Sequence, residues 1–111
     1  MTIEKVTAPR ITLVDIEGEI VTEYCFTAAD GVAWTIPMHN ADPTIPWVSL
    51  GVLTFCVLVL RNGFTVTGES ACVSPENFDA EVGKKIAKEN ANEKIWPLMG
   101  YELKSKLHNN S

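Results

Sequence analysis

An Asn-Gly pair at 62–63 sits between two runs rich in β-branched and aromatic residues, 51–60 and 64–69. Such a pair tolerates the positive φ that a tight reversal needs. With strand-forming flanks it predicts an antiparallel hairpin closed by a two-residue turn. The first arm is almost wholly apolar and does not alternate, the pattern of a strand covered on both faces. The second arm does alternate, so Phe64 and Val66 face one way while Thr65 and Thr67 face the other. In so short a chain the second cover for 51–60 comes either from another subunit or from an N-terminal helix.

Pro75 and Asn77 open a helical pattern that runs to Trp96-Pro97. At about 3.6 residues per turn, Val82, Gly83, Ile86, Ala87 and Ala91 share one face, with Asn90 in their midst. Gly83, Ala87 and Ala91 make a small-residue ridge that lets another element approach closely. Tight packing is the simplest reason for Gly83, which costs about 1 kcal/mol of helix propensity relative to Ala. Pro97 is expected to end this helix, and Gly100 to begin a short amphipathic tail over 101–107. Upstream, Thr12 and Asp15 match a capping box, and Leu13, Ile16, Ile20 and Tyr24 follow at helical spacing. That predicts a helix over 12–23, then an extended piece over 24–28 broken at Asp30-Gly31. Pro37, Pro43 and Pro46 make 37–47 an irregular connection. The expected architecture is α+β: a small antiparallel sheet with its hairpin core at 51–69, an N-terminal helix and a long C-terminal helix. The chain, 1–111, is expected to be a single domain that oligomerises.

At 111 residues a single core is modest, and assembly would help it. The net charge of −5 argues against a general grip on nucleic-acid backbone, so no duplex partner is expected. A local group of cations can still line a pocket for a small anion. Cys25, Cys56 and Cys72 are widely spaced, without a CxxC, and neither His39 nor His108 stands at ligand spacing from one. Neither zinc nor a disulfide framework is indicated, and thiols in apolar contexts suit a reducing cytosol. The first ten residues lack the apolar core of a signal peptide, and 47–60 is too short to span a membrane. A membrane partner is therefore not expected.

Enzyme readings fail on the residues. Gly68-Glu69-Ser70-Ala71-Cys72 lacks the final Gly of a nucleophile elbow and its strand-to-helix turn. No phosphate-binding glycine loop, carboxylate pair or metal cluster is present, so neither catalysis nor a cofactor is expected. Binding is the better reading. On the C-terminal helix, Asn90 either bonds backbone within the fold or offers its amide to a polar ligand. Phe78 either anchors the core or stacks on a base. Arg61, Lys84, Lys85, Lys88, Lys104 and Lys106 add cations. Lys84, Lys85 and Lys88 are balanced by Glu81 and Glu89 at helical spacing, whereas Arg61 beside the turn has the planar fork that suits phosphate. The amides at 77–80 form a potential anion site opposed by Glu76 and Asp79.

Residues 7–10 (TAPR), 26–31 (FTAADG), 61–72 (RNGFTVTGESAC), 77–81 (NFDAE) and 94–98 (KIWPL) resemble a family of small tailed-phage proteins. That family includes the first-described Thoeris anti-defence sponges. The resemblance implies an α+β protein forming dimers or hexamers in the cytoplasm of an infected bacterium. It implies binding, without cleavage, of a cyclic ADP-ribose isomer, and in some members of a cyclic oligonucleotide at a separate interface. It implies pockets between subunits, with Phe78 stacking on adenine and Asn90 and Arg61 on ribose and phosphate. Lys104 or Lys106 would take the phosphate role that arginine has in relatives, with a weaker, non-bidentate grip. The proline-rich loop at 37–47 does not match the sponges. Two alternatives come from other classes: an inhibitor binding a host protein through Trp34, Trp47 and the 37–47 loop, and a nucleic-acid accessory protein with a local basic stripe.

Overall fold

Thr12 and Asp15 close a reciprocal cap in which Thr12 N donates to Asp15 Oδ2 at 2.8 Å and Asp15 N donates to Thr12 Oγ1 at 3.3 Å. Two amides that a helix start would leave unpaired are thereby satisfied. The structure, a computed structural model, describes residues 8–37 and 42–110. His39, Asn40, the first seven residues and the middle of the 37–47 connection lie outside the described residues.

Helix α1, Leu13–Glu19, is shorter than the expected 12–23, because Ile20–Thr27 forms strand β1. The spacing of Ile20 and Tyr24 fits a period of two as well as a helical turn. The β-branched and aromatic content of 20–27, together with a partner strand, decides for the sheet. A second capping box, Thr27 with Asp30, opens α2, Ala28–Ala33. Asp30-Gly31 therefore lies inside a helix instead of breaking the chain. The cap offsets the roughly 1 kcal/mol that Gly31 costs. In the connection that follows, Asp42 Oδ1 accepts from Thr44 N and Oγ1. Helix α3, Trp47–Gly51, takes the start of the run expected as strand.

Strand β2, Leu53–Leu60, is the centre of a three-stranded antiparallel sheet ordered β1-β2-β3, where β3 is Thr65–Ala71. The hairpin loop has three residues and not the expected two. Leu60 N donates to Phe64 O at 2.8 Å, and Gly63 alone takes a positive φ, 89°. A turn followed by a left-handed glycine is the next commonest way to close such a hairpin. Asn62 Oδ1 accepts from Phe64 N at 2.9 Å and stiffens the reversal.

Burial along β2 alternates. Thr54, Cys56, Leu58 and Leu60 are buried, while Leu53, Phe55, Val57 and Val59 are half-buried. The first set faces α4, Ala80–Asn109. The second shares the opposite sheet face with Tyr24, whose pairing with Val57 places it there. Helix α1 does not cover that face: its buried residue, Ile16, joins the same core as Leu58. Among the described residues, α4 covers one side of β2, while the other side is half-buried and carries the Phe26–Phe55 ring contact beside Gly31 of α2.

A single 3-10 turn, Pro75–Asn77, precedes α4. Gly83, Ala87, Ala91 and Ile95 are its buried stripe, whereas Val82 and Ile86 remain exposed. The ridge lies directly on β3, where a Cβ on Gly68 would run into the backbone of Ala87 and Ala91. Pro97 does not end the helix, which continues to Asn109. Proline removes one amide and crowds the carbonyl of residue 93. Glu93 and Pro97 both lie on the exposed side, where solvent can take the freed carbonyl. The helix passes the hairpin tip and overhangs it, giving a molecule of 68 × 28 × 17 Å.

Candidate functional site

Three concave regions collect the side chains of interest. The first lies where the end of β3 meets the start of α4. Phe78, half-buried, leaves the 3-10 turn with its ring near Gly83, and Val82, Ile86, Val73 and Ser70 complete a groove of about 380 Å³. Its walls are chiefly apolar and its aromatic ring is accessible, an arrangement that accepts a flat heteroaromatic face. The amides at the helix start are not free for an anion. Asn77 N and Phe78 N donate to Ser74 O and Pro75 O, and Asp79 Oδ1 accepts from Glu81 N at 2.9 Å and Val82 N at 3.4 Å, so the start of the helix is capped by the protein itself.

Asn90 stands on the exposed edge of α4, and its Nδ2 donates to Glu69 O of β3 at 2.8 Å. It ties the helix to an edge-strand carbonyl. Arg61, at the hairpin tip, donates from Nε to Gly18 O at 2.7 Å and so fastens the tip to the end of α1. Near that tip, Glu19, Asn62, Phe64, Leu98, Met99 and Glu102 line a cavity of about 220 Å³. Lys104 and Lys106 follow on the overhanging end of α4, with Lys106 Nζ 4.0 Å from Glu102.

The five candidate residues are thus spread along the length of the molecule. At about 1.5 Å per residue, α4 alone puts roughly 36 Å between Ala80 and Lys104. Phe78 lies at one end, Arg61 and the two lysines at the other, and Asn90 between them. One chain does not bring them into a single pocket.

The third region was not legible as a site in the sequence. Lys84 and Lys85 pair with Glu81 and Glu89 along the helix, as their spacing predicts. Lys88 instead reaches Glu23 of β1 at 2.8 Å and Glu17 of α1 at 3.6 Å. The Glu23 carboxylate, against partial desolvation, holds the ammonium pKa above its usual value. Asn92 Nδ2 donates to Glu17 Oε2 at 3.3 Å, while its buried Oδ1 has no hydrogen-bond partner among the described residues. Glu17, Lys88 and Asn92, with Leu13 and Trp96, border a cavity of about 430 Å³. Partners distant in sequence, on α1 and β1, made this cluster invisible to helical spacing alone.

Cys72 Sγ donates to Ser74 O at 3.1 Å. Among the described residues no group of three or more His, Cys, Asp or Glu side chains is placed to hold a metal ion, and no helix is long and apolar enough to cross a membrane. A family model described as phage protein (N4 Gp49/phage Sf6 gene 66) matches residues 11–107. No curated protein and no solved structure matches the chain.

Proposed function

The chain belongs to the phage protein (N4 Gp49/phage Sf6 gene 66) family, and from that premise we propose that it sequesters a nucleotide immune signal without cleaving it. The ligand class is a cyclic ADP-ribose isomer or a cyclic oligonucleotide, taken up in the cytoplasm of the infected bacterium. The observation that carries this reading is the Phe78 groove, an apolar recess of about 380 Å³ with an accessible aromatic ring. A base stacked on such a ring gains roughly 1–3 kcal/mol.

The second support is the separation of the candidates. Two chains with their α4 helices antiparallel would set Phe78 of one protomer beside Lys104 and Lys106 of its partner. Aromatic and cationic groups would then meet between subunits, which one chain alone does not achieve. The half-buried face of β2, with Tyr24 and Phe26 exposed beside it, offers an apolar surface for such assembly. Titrating cyclic ADP-ribose isomers and cyclic di- and trinucleotides into the protein by calorimetry tests the reading. Binding by the native chain and its loss in Phe78→Ala support it; no binding of any of these ligands by folded protein rejects it.

One observation favours a second reading, an inhibitor that docks on a host protein. Trp34 is 90% exposed and Trp47 and Val48 are exposed nearby in sequence to the 37–47 connection. A stoichiometric host protein captured by the native chain, and lost with Trp34→Ala, would favour it over the sponge.

A further inference from the structure

The face of the sheet that packs against α4 sets two cysteines directly opposite each other. Cys25 of β1 is the register partner of Cys56 of β2. The backbone pattern says which kind of pair this is. Leu60 N bonds Phe64 O and Cys72 N bonds Val52 O, so the even-numbered residues of this segment direct their backbone groups toward β3. Arg61 N bonds Glu19 O, so the odd-numbered ones direct theirs toward β1. Cys25 and Cys56 are therefore a non-hydrogen-bonded pair, the closer of the two antiparallel geometries, with Cα atoms about 4.5 Å apart. That separation lies within the range of about 4.4–6.8 Å that a disulfide spans.

We propose that Cys25 and Cys56 are a reversible redox pair, a dithiol that a small-molecule disulfide closes into a cross-strand disulfide. The two thiols differ in the way such a pair requires. Cys25 is half-buried and reachable, whereas Cys56 is wholly buried. Burial, then the hydrogen-bonded Cys25 thiol beside it, pushes the Cys56 thiol up to about 12. Cys25 is thus the first nucleophile and Cys56 the resolving one. The Cys25 thiolate attacks one sulfur of the oxidant and expels its other half as a thiolate, leaving a mixed disulfide. Cys56 gives up its proton and attacks the Cys25 sulfur, expelling the second half. Two protein thiols are oxidised, one external disulfide is reduced to two thiols, and the two protons go to the departing thiolates. A reducing compartment holds the dithiol; a rise in the disulfide pool closes it and staples β1 to the centre of the sheet. Cys72, two strands from β1 and bonded to Ser74 O, lies outside the pair.

The test is to treat the folded chain with oxidised glutathione, remove the oxidant, unfold the chain, alkylate the remaining thiols and measure the intact mass, followed by peptide mapping. The expected result is loss of two of the three alkylatable thiols, a link between Cys25 and Cys56, and recovery of all three thiols with dithiothreitol. Cys56→Ser should stop at a mixed disulfide on Cys25, and Cys72→Ser should close as the native chain does. Three thiols still alkylatable on unfolding after the treatment, a link through Cys72, or a link that forms only when the oxidant is added in urea would each overturn the proposal.

Discussion

A methyl group on Gly83 would meet Thr54 Oγ1 at 2.8 Å, closer than real Cβ contacts come, and Thr54 is itself buried in the sheet. Helix propensity favours alanine at this position by about 1 kcal/mol. Packing opposes it and prevails, since overpacking a tight site costs roughly 1–3 kcal/mol. Gly83→Ala should therefore lower the midpoint of urea unfolding, and in a Thr54→Ala background the same substitution should raise it. An unchanged effect in the two backgrounds would show that Gly83 has some other role. Phe78 and Asn90 divide along a similar line. Asn90 bonds Glu69 O, so Asn90→Ala should lose about 1 kcal/mol of stability. Phe78→Ala should weaken ligand binding by about 1–3 kcal/mol. Measuring unfolding and affinity on both variants separates fold from recognition: a loss of affinity without loss of stability in Asn90→Ala would place its amide on the ligand.

At the scale of elements, α4 runs through Pro97, which should leave a measurable reserve. Proline in a helix interior costs about 3 kcal/mol relative to alanine, and the exposed position of Pro97 lets a substitution restore the missing bond without crowding the core. Pro97→Ala should raise the thermal midpoint, with the gain seen by calorimetry and with helix content unchanged. The hairpin and the Gly83–Ala87–Ala91 ridge were legible because local chemistry and final packing agree there. Asn62-Gly63 needs a reversal, and three small residues at helical spacing need a close neighbour. The misreadings came where a local signal was true but incomplete. Ile20 and Tyr24 satisfy helix and strand periods alike, and β2 decides between them. Thr27 with Asp30 caps a helix that Gly31 alone argues against. Pro97 interrupts one hydrogen bond, not the helix.

For the whole molecule, the described residues leave the sheet face of Phe55, Val57 and Val59 half-buried and an α4 end overhanging, with Tyr101 and Leu107 exposed along it. The account expects at least a dimer, so light scattering at micromolar concentration should report a mass of at least twice 12.2 kDa. A mass of one chain at every concentration would contradict it. Residue types and the family resemblance allowed Phe78, Asn90, Arg61, Lys104 and Lys106 to be named, but not their arrangement, because helical spacing does not say how far apart the fold sets the hairpin tip and the start of α4. The Lys88–Glu23 pair was missed for the related reason that its partners lie on other elements. The central claim is capture without turnover. Its most direct test is to incubate the native protein with cyclic ADP-ribose isomers and cyclic oligonucleotides, remove unbound ligand, denature by heat and identify what is released by mass spectrometry. The account predicts a bound nucleotide returned chemically intact in stoichiometric amount; its conversion to a linear product by catalytic amounts of protein would contradict the account.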